Sequence, residues 1–210
     1  ILYDQVYWTL TFGEHKHFDP INLRPELRDY TIYIDGISKS LAATGVRVGW
    51  AFGPLKLIDK MKAILCHVGA WSPKAEQIAT AKYLKQNEAI EEFMVPFKNK
   101  IKNSLDTLHE GFQKLKSENY PLDSIEPMGA IYLTVKVAIK GKHTPDGKAI
   151  ESSMDVTSYI LNAAQLAMVP FTAFGASANS DWYRLSVGAA DKETILASFD
   201  RLKKAIDELK

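Results

Sequence analysis

The sequence has almost no cysteine. Cys66 stands alone among 210 residues, so no internal disulfide can form and the fold must be held by packing. A single thiol suits a reducing compartment, and the expectation is a cytoplasmic protein. Charge of one sign is also lacking: 26 Lys and Arg against 25 Asp and Glu leave a net +1. No basic field therefore draws nucleic acid or an anionic membrane as a main partner. No apolar run approaches the roughly 20 residues of a membrane-spanning helix, and the opening residues lack the basic-then-apolar pattern of a signal peptide. Internal repeats and low-complexity tracts are missing, which excludes solenoids and disordered linkers. So is a starting methionine. The chain opens on "ILYDQVYW", which reads as a strand already under way, and further sequence is expected upstream.

What remains is ordinary globular material, 46% hydrophobic and 24% charged, long enough to bury a core as one large domain or two small ones. Ile1–Leu2 lead into Asp4 and Tyr7 as the end of a buried strand. "FGEHKHFDPINLRPELRDY" reads as a polar loop, "YTIYID" (30–35) and "RVGWAFG" (47–53) as strands, and Pro54 to Val68 as a helix stopped by Gly69. Ser72, as an N-cap before Pro73, opens a long helical stretch to about Glu118 that Pro96 should kink or split. Ile101, Leu105, Leu108, Phe112 and Leu115 form its apolar stripe. Beyond Pro121 the pattern turns α+β: a strand over 130–137, an exposed turn on Asp146-Gly147, a helix capped by Asp155 and running to about Met168, a strand over 182–188, and a last helix capped by Asp191.

Lys39 is the oddity. It sits in "IDGISKSLAATGVRVGW" among Gly36, Ser38, Ser40, Ala42 and Ala43, with Arg47 eight positions on. An unprotonated amine in a tight, partly desolvated site is the nucleophile of Schiff-base chemistry; the alternative is a solvated loop lysine. Arg47 is either a clamp for phosphate or carboxylate or half of a rim salt bridge. Asp4 and Tyr7, three apart at a strand end, are either ligand contacts or a helix cap and a core tyrosine. Arg184, inside the apolar "DWYRLSVG", needs an anion, either a structural acid or a ligand carboxylate. "EHKH" with Asp19 has metal-ligand types but reads as an exposed loop, and no metal is expected. Ser38-Lys39 as a hydrolytic dyad fails because neighbours on an extended segment point apart.

Taken in order, "YDQVY", "SKSLAATGVRVGW", "MGAIYL" and "WYRLSVG" resemble the pyridoxal-phosphate-dependent aminotransferases of class I/II, the aspartate aminotransferase-like fold. The shared pattern is Asp-x-x-Tyr, then Ser-Lys with Thr-Gly-x-Arg-x-Gly, then Gly-Ala-x-Tyr, then an arginine in a strand. The resemblance covers the C-terminal half of such a protein. It implies an α/β chain: residues 1–70 as the last part of the large cofactor domain, 71–118 as a connecting helical segment, and 119–210 as an α+β small domain. It also implies pyridoxal 5'-phosphate bound to Lys39 as a Schiff base, with Asp4 on the pyridine nitrogen and Tyr7 on the phenolic oxygen. Arg47 and Ser38 would hold the phosphate, and Arg184 the substrate carboxylate. The implied protein is a homodimer acting on an amino acid and a 2-oxo acid. A carbon–sulfur lyase on the same scaffold, or a truncated dimerisation or binding domain, are the other readings. Two departures stand out: Gly36 occupies a position where many members have Ser or Thr, and Phe171 replaces a glycine in "VPFTAFG".

Overall fold

A computed structural model describes residues 1–188 and 190–210. The chain divides into two compact units, Ile1–Lys98 and Asn99–Lys210.

The first unit carries a three-stranded sheet in the order β1 (Leu2–Asp4), β2 (Ile32–Gly36), β3 (Gly49–Phe52). β1 and β2 are parallel with Asp4 opposite Ile34, and β3 returns antiparallel with Gly49 opposite Gly36. Among the described residues nothing covers Ile1 (58% exposed) or Leu2 (73%) on β1. The segment expected to be one loop holds a short helix α1 (Pro20–Leu23) and a 3-10 turn (Pro25–Tyr30). The Asp19 carboxylate caps α1 by accepting from the Ile21 and Asn22 backbones, both at 3.0 Å, and takes the Tyr33 hydroxyl at 2.7 Å. Those backbone and hydroxyl donors, the Asn22 bond first, hold it below the usual carboxylate range. Asp19 is thus occupied by folding, and no metal-type cluster forms among the described residues.

Lys39 lies on one helical turn, α2 (Ile37–Ser40), where an extended segment was expected. α3 (Leu55–Val68) ends at Gly69 in the left-handed conformation that glycine adopts without strain. None of its residues is buried. α4 (Lys74–Tyr83) is preceded by Pro73 at the cap position; Ser72 makes no side-chain cap and instead its carbonyl accepts from Gln77. α5 (Asn87–Ser117) runs through Pro96 without the split that was one of the two expected outcomes there; the helical stretch is instead interrupted between Tyr83 and Asn87.

The second unit holds most of the core. All five residues of the α5 stripe are buried. The sheet runs β4 (Leu122–Ser124), β5 (Tyr132–Val137), β7 (Trp182–Ser186), β6 (Val169–Pro170), all pairs antiparallel. Leu133, Val135 and Val137 face the core with Tyr183 and Leu185, so the period-2 pattern assigns Tyr132, Thr134 and Arg184 to the other face. α6 (Ser153–Ala164) starts from Ser152, with Asp155 completing a capping box from the third position rather than capping itself. It stops at Gln165, in the left-handed conformation, short of the expected end. α7 (Lys192–Asp207) is capped by Asp191 as read from the sequence. The Tyr159 hydroxyl ties α6 to the Ala205 carbonyl of α7 at 2.5 Å, and Phe112 of α5 meets Phe199 of α7 edge-on at 5.7 Å.

Candidate functional site

In the first unit, five of the six predicted site residues collect at one end of the sheet. β1 finishes at Asp4, β2 at Gly36, and β3 begins at Gly49, so the chain leaves and re-enters the sheet at the same end. After Asp4 the backbone turns at once: the Val6 N–H donates to the Asp4 carboxylate at 3.1 Å, and Trp8 and Leu10 close turns onto Gln5 and Tyr7. Tyr7 is therefore on a turn beyond the strand, half-buried, while Asp4 is exposed. Between β2 and β3, α2 carries Ser38 and Lys39, both half-buried, and a 3-10 turn over Thr44–Val46 follows. The Thr44 hydroxyl donates to the Ser38 carbonyl at 3.1 Å, pinning that turn against α2.

Arg47 closes the excursion. Its backbone is left-handed (φ 61°), a conformation that costs a side-chain-bearing residue about 1 kcal/mol or more. The exposed guanidinium donates to the Thr44 carbonyl at 2.9 Å. The Lys39 amine has no hydrogen-bonding or ionic partner among the described residues. Gly36 and Gly49 face each other so closely that a Cβ on Gly36 would lie 3.0 Å from the Val48 carbonyl oxygen. A side chain at position 36 fits only if β3 gives by a few tenths of an ångström.

Asp35, absent from the sequence reading, organises this end. It is 7% exposed. One carboxylate oxygen accepts the Gly36 N–H at 2.7 Å; the other accepts the Trp8 indole at 3.0 Å and the Gln5 amide at 3.4 Å. It binds the turn bearing Tyr7 to the strand end that launches Lys39. An acid closing a β-branched run, next to a glycine, was the available signal.

Arg184 lies in the second unit, half-buried on β7, beside an open cleft of about 550 Å³. The cleft is lined by Tyr132 and Thr134 of β5, by Phe171, Phe174, Gly175 and Ala176, and by Arg184 itself; among the described residues this lining holds no acid. The guanidinium carbon lies 3.9 Å from the centroid of the Tyr132 ring and 6.0 Å from that of Phe174. A 3-10 turn over Phe171–Phe174, ended by Gly175 at φ 88°, presents the two phenylalanines. The chain from there to β7 is fastened by Lys140, whose ammonium donates to the carbonyls of Ala178 (3.2 Å) and Ser180 (3.1 Å) and pairs with Asp181 (3.1 Å). Arg184 thus lies beside a cleft, on the sheet face away from the core.

The residue set meets a family model. Aminotransferase class I and II matches residues 1–202. An aspartate aminotransferase of Rhizobium meliloti is 29% identical over 210 residues, covering 100% of this chain and 48% of its own length. A crystal structure of the aspartate aminotransferase from the same organism superposes with a TM-score of 0.84 at 28% identity, over 100% of this chain and 50% of that one. The Thermus thermophilus aspartate aminotransferase solved with maleate superposes at 0.80 and 25% identity, over 97% and 47%. The chain thus spans about half the length of the curated relatives it matches.

Proposed function

This chain belongs to the class I and II aminotransferases, and on that premise we propose that the protein it comes from moves an amino group between an amino acid and a 2-oxo acid, using pyridoxal 5'-phosphate. The observation that carries the reading is the Lys39 amine: half-buried, without a partner among the described residues, and at the sheet end where Asp4, Tyr7, Ser38 and Arg47 gather.

The donor set fits the cofactor group by group. A carboxylate, Asp4, suits a protonated ring nitrogen. A phenol, Tyr7, suits an anionic ring oxygen. A guanidinium, Arg47, and a hydroxyl, Ser38, suit a phosphate. When bound, pyridoxal phosphate supplies an electron sink for bond cleavage at the substrate α-carbon. The chain's own residues do the rest. Lys39 would hold the cofactor, and its amine, near the substrate, would carry the proton to and from the α-carbon. Asp4 would favour a protonated ring nitrogen through its charge. Arg184 grips the carboxylate common to the amino acid and the oxo acid, with the carboxylate-bearing maleate of the Thermus structure as a precedent for that ligand chemistry. In this reading residues 1–70 complete the cofactor domain, 71–118 connect, and 119–210 form the small domain. A homodimer is supported by the apolar face of α3, and the cytoplasm by the lone thiol of Cys66.

The test is direct. Borohydride reduction of the full-length holoenzyme should leave a pyridoxyl mass on the peptide containing Lys39. A label on another lysine, or none, sinks the assignment.

A further inference from the structure

Two observations around Arg184 converge on one residue. Tyr132 sits diagonal to Arg184 across the β5–β7 ladder, because Thr134 is the direct partner of Arg184 and Tyr132 that of Ser186. Diagonal same-face neighbours are within reach of aromatic and long side chains. The contact is made: the guanidinium carbon lies 3.9 Å above the Tyr132 ring, with Phe174 on the cleft's other lining at 6.0 Å.

We propose that Tyr132 is a positioning residue of the carboxylate site, its ring helping to hold the Arg184 side chain beside the cleft. The inference rests on the reading of Arg184 as the carboxylate receptor. An arginine on a sheet face beside an open cleft has many rotamers, and freezing one when the ligand arrives weakens binding. An acid could restrain it, but would neutralise the charge that the substrate carboxylate needs. An aromatic face restrains a cation through its quadrupole and brings no counter-charge. Tyr132 is half-buried and faces away from the core, so its ring is placed for this contact and not for core packing.

The experiment uses the full-length holoenzyme with Tyr132→Leu, Tyr132→Phe and Arg184→Ala. Tyr132→Leu should raise KM for the amino acid and the 2-oxo acid together by about tenfold, with kcat changed less than about twofold. Maleate binding by calorimetry should weaken by a similar factor. Tyr132→Phe, which keeps the ring, should restore both. If Tyr132→Leu does not fold, Tyr132→Met replaces it. Unchanged KM and maleate affinity on loss of the ring would overturn the inference, as would a Phe variant as impaired as the Leu one, since the hydroxyl would then be responsible. Arg184→Ala separates the two levels. If it too leaves maleate binding unchanged, the carboxylate reading of the cleft has failed; if it alone abolishes binding, only the positioning role has.

Discussion

Asp35→Ala should loosen the sheet end that carries Lys39. The carboxylate accepts three hydrogen bonds, at 2.7 Å from Gly36, 3.0 Å from Trp8 and 3.4 Å from Gln5. Bonds to a charged acceptor are worth about 1.5–3 kcal/mol each, but the loss is smaller where water can substitute. Trp8 is 44% exposed, so its indole N–H can turn to solvent, and the long Gln5 bond contributes little. The buried Gly36 N–H cannot, and it carries the main cost. The expected destabilisation is therefore about 3 kcal/mol, read from urea unfolding of the full-length protein. Asp35→Asn retains an oxygen for Gly36 but sets an amide donor against the indole donor, for about 1–2 kcal/mol. In a double-mutant cycle with Trp8→Phe, the pair should couple by about 1 kcal/mol. Cofactor affinity should fall alongside stability, because the same carboxylate ties the turn of Tyr7 to the launch of α2. An Asp35→Ala protein within about 0.5 kcal/mol of the parent, with unchanged cofactor affinity, would refute the reasoning.

Gly36→Ala should cost about 1–3 kcal/mol and lower cofactor uptake, measured by absorbance titration, since the new methyl group meets backbone atoms of Val48 and Gly49 at 3.0 and 3.1 Å. Tyr183 is fully buried, and burial pushes its pKa up to about 12 against a smaller downward pull from the Ser153 hydroxyl. The fold thus favours the protonated phenol: that stability is complete below pH ~10 and is lost, by about 2–3 kcal/mol, as pH rises toward 12. Tyr183→Phe should remove this alkaline loss and leave neutral-pH stability the same or slightly higher, which a pH series of thermal melts would show. Finally, the 210 residues expressed alone should self-associate and fail to turn over an amino acid with 2-oxoglutarate, because Leu55, Ile64, Val68 and Trp71 are each more than half exposed. A monodisperse, active monomer in sedimentation and glutamate assays would contradict this.

Much of the second unit was legible because its signals are local and periodic. The α5 stripe from Ile101 to Leu115, the alternation of β5 and β7, and the Asp191 cap are each written in a few adjacent residues. The capping box was misread by three positions, since Ser152 and Asp155 are both good cap residues and only the backbone decides between them. Pro96 did not split its helix, because a proline removes one hydrogen bond and a helix of 31 residues can absorb that. In the first unit, β2 and α3 were plain, each written in a short local run. At the candidate site, Lys39 stood out through its small neighbours and Arg184 through its apolar strand. Asp35 did not, and Tyr132 appeared only as a motif residue without a role, since the contacts from Asp35 to Trp8 and from Tyr132 to Arg184 span 27 and 52 positions in sequence.

The reversal of β3 bears on how this chain can be engineered. β2 runs toward the candidate site and β3 runs away from it, so every residue from 37 to 48 is spent on one excursion. A reporter or affinity tag grafted there would disrupt the Thr44, Arg47 and Gly36 contacts together. The Asp146-Gly147 turn is the opposite case. His143 and Ala149 bridge across its base, Thr144 and Lys148 close it at 2.9 Å, and none of these residues lines the Arg184 cleft. A peptide spliced between Asp146 and Gly147 enters and leaves through a stem that is already zipped, which makes that turn the natural port for a fluorophore or a surface tether.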